Sequence, residues 1–120
     1  MILECLIVDD NEVLRIRETM QRRISEEQIK FYTAEDGAIA VEMFKENPYD
    51  IVILDYHMPK MNGDEAAKKI REMSSDVTLI GFSLEWDENN AKECDLAYYH
   101  HNIMKIRDYL PKLIEERDAE

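Results

Sequence analysis

Asp50-Ile51-Val52-Ile53-Leu54-Asp55-Tyr56-His57-Met58-Pro59-Lys60-Met61-Asn62-Gly63 sets four apolar residues in a row directly before a carboxylate and a polar loop. A strand with water on one face alternates apolar and polar side chains, so a continuous apolar run marks a strand covered on both faces. Cys5-Leu6-Ile7-Val8, followed by Asp9-Asp10-Asn11, has the same form. Working outward from these two runs, residues 3–8, 28–33, 50–54, 77–82 and 96–100 read as strands. Between them Val13, Ile16, Met20 and Ile24 share one helical face, with Arg15, Arg17, Glu18, Arg22 and Arg23 turned outward. Ala38, Val41 and Phe44 repeat the pattern, as do Ala66, Ala67, Ile70 and Met73. Residues 85–95 are polar apart from Trp86, Ala91 and Cys94, which predicts a short fourth helix of about two turns. Ile103, Ile106, Leu110, Leu113 and Ile114 predict a last helix, with a kink or a late start at Pro111. Alternating strands and helices of this length predict an α/β fold, a doubly wound five-stranded parallel sheet with helices on both faces.

The chain has 120 residues, 45% of them hydrophobic, with 15 Lys and Arg against 27 Asp and Glu for a formal charge of −12. That length predicts a single domain over residues 1–120, able to bury roughly two-thirds of its surface. The negative balance repels phosphate backbones and anionic lipid headgroups, so neither nucleic acid nor a membrane is expected as a direct partner. Apolar runs stop at four residues, such as Ile51 to Leu54, against roughly 20 for a membrane span. No secretory signal is visible, and a cytoplasmic location is expected. Cys5 and Cys94 stand in no paired motif and are expected to be reduced thiols.

In a doubly wound sheet, ligands bind outside the carboxyl ends of the strands. Strand one ends in Asp9-Asp10 and strand three in Asp55, and these strands are neighbours in such a sheet, so three carboxylates are expected at one rim. Two like charges about 4 Å apart repel by roughly 4 kcal/mol at an effective dielectric near 20. Such a cluster must bind a cation, share a proton or stay hydrated, and all-oxygen ligands suit Mg2+, with Mn2+ as a substitute. The plainer alternative is that Asp9, Asp10 and Asn11 cap the first helix and Asp55 merely ends a strand. Strand four ends in Ser83, whose hydroxyl can serve as a donor to a bound anion.

From Ile2 to about Glu116 the sequence resembles the response-regulator receiver domain of two-component signalling. Leu6-Ile7-Val8-Asp9-Asp10-Asn11 is similar to that family's first strand and acidic pair, and Asp50 to Gly63 to its phosphorylation loop, with Asp55, Met58, Pro59, Met61 and Gly63 in register. The resemblance implies a CheY-like, flavodoxin-like strand order of 2-1-3-4-5. It implies that Asp55 is the phosphoacceptor, taking phosphate from a histidine kinase, a phosphotransfer protein or a small phosphodonor. It further implies that Asp10, Asp55 and the His57 backbone carbonyl ligate Mg2+, with Asp9 acting through water. Ser83 and Tyr98 match the family's hydroxyl and aromatic switch positions. Phosphorylation would then switch a protein-binding surface read by a downstream partner that the sequence does not identify.

One position departs from the pattern. Where the family carries Lys-Pro after strand five, this chain has His101-Asn102, so His101 replaces the phosphoryl-contacting Lys, with Lys105 as a fallback. An imidazole titrates near pH 6 to 7, which would make that contact pH-dependent. Two other readings compete with the phosphoacceptor. A transition-metal site, for Zn2+ or Mn2+, would combine His57 and His101 with the carboxylates. A degenerate receiver would serve as a docking module independent of phosphate.

Overall fold

β1 (Leu3–Val8) sends Leu3, Cys5 and Ile7 to one side and Leu6 and Val8 to the other, and all five are buried. The computed structural model, which describes residues 2–98 and 103–118, builds outward from this strand. β2 (Ile29–Ala34) and β3 (Ile51–Leu54) flank it in parallel, with Cys5 opposite Phe31 on one side and Ile51 on the other. β4 (Thr78–Phe82) then adds to β3, and β5 (Leu96–Tyr98) to β4. The resulting order, β2-β1-β3-β4-β5 with every pair parallel, is the doubly wound sheet that the apolar runs predict.

Parallel strands force each connection to cross a face of the sheet, and the helices divide accordingly. α1 (Val13–Gln21) and α4 (Ile103–Asp118) bury Val13, Ile16, Met20, Ile106 and Leu110 against the Cys5, Ile7, Ile51 and Ile53 face. α2 (Gly37–Glu46) and α3 (Gly63–Met73) bury Val41, Phe44, Ala66 and Ile70 against the Leu6, Val8, Val52 and Leu54 face. No helix among the described residues is long and apolar enough to cross a membrane.

α2 starts where the Asp36 side chain accepts a 2.8 Å bond from the Ile39 amide, one of the donors a helix N-terminus leaves unpaired. Asp36 is buried, so its loss leaves that amide without ready access to water. Asp36→Ala is expected to cost about 1–2 kcal/mol, read as a lower urea midpoint at unchanged slope. A midpoint equal to wild type would show that the cap contributes nothing.

The predicted short fourth helix does not form. Residues between β4 and β5 make one helical turn, in which Asp87 Oδ1 caps the amides of Asn89 and Asn90 and the Ala91 amide reaches the Asp87 carbonyl at 3.0 Å. A second turn closes from the Cys94 amide to Ala91. The Asn90 side chain takes both the Asp87 amide and the Glu85 carbonyl, competing with the backbone for its own hydrogen bonds. Trp86 leaves the turn altogether and packs into the α2 and α3 face of the core.

Arg71, near the end of α3, ties this segment down. Its guanidinium donates to the carbonyls of Ser75, Val77 and Glu93 and to Asp95 Oδ2, which also accepts the Leu79 amide at 2.8 Å. The last helix does not start late, one of the two outcomes expected at Pro111. It starts at Ile103 and runs through Pro111, because Pro111 is exposed while Ile106, Leu110 and Leu113 hold the helix on the core. The two cysteines are free, and burial pushes the Cys5 thiol far up and the Cys94 thiol to about 12, so both stay protonated.

Candidate functional site

Val8 and Leu54 are register partners, so the residues that follow them, Asp9 and Asp55, leave the sheet side by side. The Asp55 amide bonds the Val8 carbonyl at 2.9 Å, which fixes the start of the loop after β3. Carboxylate oxygens of Asp9, Asp10 and Asp55 lie within 4.8 Å of one another. Asp9 and Asp55 are only 5% and 9% exposed, and Asp10 is half-buried. The three open onto a cleft of about 370 Å³ that Asn11, Glu12 and Arg15 also line.

Asp9 Oδ1 accepts the amides of Asn11 and Glu12 at 2.9 and 3.2 Å, folding the loop that leads into α1. It does not cap the helix, since the N-cap position is Glu12 and no side chain bonds there. Asp55 Oδ1 accepts the Tyr56 amide at 2.8 Å. Burial pushes the Asp55 carboxyl up to about 6, and the charges of Asp9, Asp10 and Glu85 push the same way against the Tyr56 amide. Burial likewise raises Asp9. Crowded carboxylates that resist ionisation have a simple remedy in a hard divalent cation, and this donor set is all oxygen.

The loop beyond Asp55 folds back tightly. The Gly63 amide reaches the Tyr56 carbonyl at 2.6 Å, and Lys60, at φ 67°, centres a three-residue turn closed from Met61 to Pro59 at 2.7 Å. A Cβ on Gly63 would lie 2.2 Å from the Asp55 carbonyl oxygen and 2.8 Å from Trp86 Cζ2, so the close approach explains the glycine. The His57 side chain is exposed and is not one of the three clustered groups, so the transition-metal reading loses that ligand.

Ser83 follows β4 and is fully buried, but its hydroxyl bonds elsewhere than expected. Oγ donates to Glu85 Oε2 at 2.8 Å and accepts the Glu85 amide at 3.1 Å. Tyr98 ends β5 in register with Phe82. His101 and Asn102 lie outside the described residues. The fallback cation Lys105 borders a different recess, with Asp108, Tyr109 and Lys112, away from the acidic cleft.

Three residues at or near the site carry little signal in the sequence. Arg15, which patterns with a solvated basic face, lines the cleft and pairs with Glu12. Glu85 holds Ser83, and its only sequence signal is its position two residues beyond a strand-end serine. Trp86 Nε1 donates to the Leu54 carbonyl at 3.1 Å, next to Asp55, and its ring meets Tyr56 edge-on at 5.3 Å.

A doubly wound sheet with clustered carboxylates at the carboxyl ends of β1 and β3 is the architecture of a signalling receiver. Residues 5–118 match the family model of the response regulator receiver domain, and the chain belongs to that family. It is 35% identical over 91 residues to the autoinducer 1 sensor kinase/phosphatase LuxN of Vibrio campbellii, an alignment covering 76% of this chain and 10% of LuxN. It is 33% identical over 90 residues to the transcriptional regulatory protein SrrA of Staphylococcus aureus, covering 75% of this chain and 36% of SrrA. The chain therefore spans only a small part of the length of these curated relatives. Among solved structures it is similar to the response regulator TrrA of Thermotoga maritima in complex with Mg2+-BeF, at 29% identity and a TM-score of 0.75, covering 92% of this chain and 98% of that one.

Proposed function

We propose that this receiver domain accepts a phosphoryl group on Asp55 from a phosphohistidine of a histidine kinase or phosphotransfer protein, assisted by Mg2+ or Mn2+, and that the modification switches its binding to a downstream protein. The observation that carries this reading is the meeting of the Asp9, Asp10 and Asp55 carboxylates within 4.8 Å at the edge of the sheet. The TrrA relative, solved with Mg2+-BeF, supports the same chemistry. On this reading the protein is a signalling phosphoacceptor rather than an enzyme that turns over a substrate.

The Tyr56 amide bonds Asp55 Oδ1, and Oδ2, which takes no hydrogen bond from the described residues, is assigned as the nucleophilic oxygen. Oδ2 attacks phosphorus, the P–N bond to the donor imidazole breaks, and its electron pair leaves with the ring, giving an acyl phosphate on Asp55. Asp9, Asp10, Asp55 and the His57 carbonyl are the groups that would hold the cation. When bound, it neutralises the clustered carboxylates and the charge that spreads over the transferred oxygens. Ser83, Tyr98 and His101 are assigned to sensing or contacting the phosphoryl group.

The test is intact mass after incubation with a small acyl phosphate and Mg2+. A single phosphoryl adduct is expected on the wild-type chain and none on Asp55→Asn. Absence of an adduct from every donor, with partner binding unchanged by Asp55→Asn, would replace this reading with the phosphate-independent docking module.

A further inference from the structure

Ser83 is fully buried, and among the described residues both of its hydrogen bonds go to one residue, Glu85. A hydroxyl has a single proton to donate. While that proton lies on Glu85 Oε2, at 2.8 Å, Ser83 has none to offer an oxygen of a phosphoryl group on Asp55. We propose that Glu85 is a positioning residue that latches the Ser83 hydroxyl in the unphosphorylated domain and must release it when Asp55 carries phosphate. The proposal rests on the reading of Asp55 as phosphoacceptor.

The competition is close because both acceptors are anionic, and a hydrogen bond to an ionised acceptor is about twice as strong as one to a neutral acceptor. The latch also closes easily, since the Glu85 amide bonds Ser83 Oγ at 3.1 Å and keeps the two residues together. Release falls to the side chain. Trp86, the next residue, is fixed by its 3.1 Å bond to the Leu54 carbonyl and by its burial, so the backbone after Glu85 is held in place. The Glu85 charge is felt at Asp55, where it opposes ionisation. A phosphoryl group arriving there therefore repels the carboxylate of Glu85 as it draws the hydroxyl away.

Calorimetric titration with beryllofluoride and Mg2+ tests the latch, using the full chain, Glu85→Gln, Ser83→Ala and the double variant. Glu85→Gln is expected to bind the phosphoryl mimic about five- to tenfold more tightly, since a neutral acceptor gives up the hydroxyl more readily. In the Ser83→Ala background only the relief of the Glu85 charge remains, and the same substitution is expected to tighten binding by about twofold, because the hydroxyl bond that couples the two residues is gone. An equal gain in both backgrounds would reduce Glu85 to a nearby charge and overturn the latch, as would no gain in either. If the wild-type chain binds no beryllofluoride, the phosphoacceptor reading falls and takes the latch with it. Wild-type binding without a Ser83-dependent gain overturns the latch alone.

Discussion

Trp86→Ala is expected to remove about 3–5 kcal/mol of stability, a large share of the roughly 5–15 kcal/mol that holds a domain of this size together. The indole is 2% exposed and fills the space over two glycines. A Cβ on Gly81 would approach its Cε2 to 2.9 Å, and one on Gly63 its Cζ2 to 2.8 Å. The ring thus covers the sheet face that a fourth helix would otherwise cover, and truncation leaves a cavity that the tightly tied segment around Asp95 is poorly placed to fill. Trp86→Phe keeps most of the ring but not the donor to the Leu54 carbonyl, and is expected to cost about 1–2 kcal/mol more than a volume-matched swap. Urea unfolding of both variants checks this, and a loss below about 1 kcal/mol for alanine would show that the ring is not part of the core. The same indole bond lies one residue from Asp55, so Trp86 emission is expected to shift when beryllofluoride and Mg2+ fill the site. An unchanged spectrum at proven saturation would separate Trp86 from the proposed switch.

The sheet was legible because burial on both faces leaves a direct trace: Ile51 to Leu54 are apolar at every position and all are buried. β2 reads less sharply, since Lys30 is exposed between Ile29 and Phe31, and its strand lies one residue later than the pattern suggests. The segment after β4 misled because composition reports how many apolar residues are present but not which way they go. Trp86 and Ala91 serve a helix only if they share one face, and Trp86 is instead anchored to Leu54 by a bond between residues far apart in sequence. The late start considered at Pro111 fails for the opposite reason, since packing by Leu110 and Leu113 outweighs a local penalty on an exposed turn.

At the site, Asp9, Asp10 and Asp55 were readable because strand ends set by register place them together. The Glu85 hold on Ser83 depends on a rotamer, which spacing does not encode. Arg71 was equally hidden. Its three carbonyl acceptors carry no side-chain signal at all, so a lone Arg near the end of α3 reads as ordinary surface charge.

Asp55→Asn is expected to stabilise the metal-free domain by about 1–3 kcal/mol at pH 7, since each tenfold gain in proton affinity on folding is worth about 1.4 kcal/mol. The Asp55 carboxyl titrates at about 6 in the fold against an ordinary value of 3.8, so the folded chain holds the proton more tightly than the unfolded one. Protonation therefore favours folding. The stability gained from Asp55 is fully present below its ordinary value and is lost as pH rises through about 6, above which the charged group opposes folding in full. Asparagine has nearly the same shape, keeps an acceptor for the Tyr56 amide and carries no charge. Its advantage should be largest above about pH 6 and vanish near about pH 4. Mg2+ is expected to invert the comparison. A cation that binds only the folded wild-type site adds about 4.1 kcal/mol at a thousandfold excess over Kd, more than the variant's advantage, while the variant, lacking one of three carboxylates, gains little. Urea midpoints from about pH 4 to 8, with and without Mg2+, should thus show the two proteins exchanging rank at neutral pH and converging in acid. Equal midpoints at neutral pH without metal would mean that burial and the charges of Asp9 and Asp10 do not bear on Asp55. The expected crossing would tie the instability of the empty site and its affinity for a cation to one cause, the forced proximity of charges at the ends of β1 and β3.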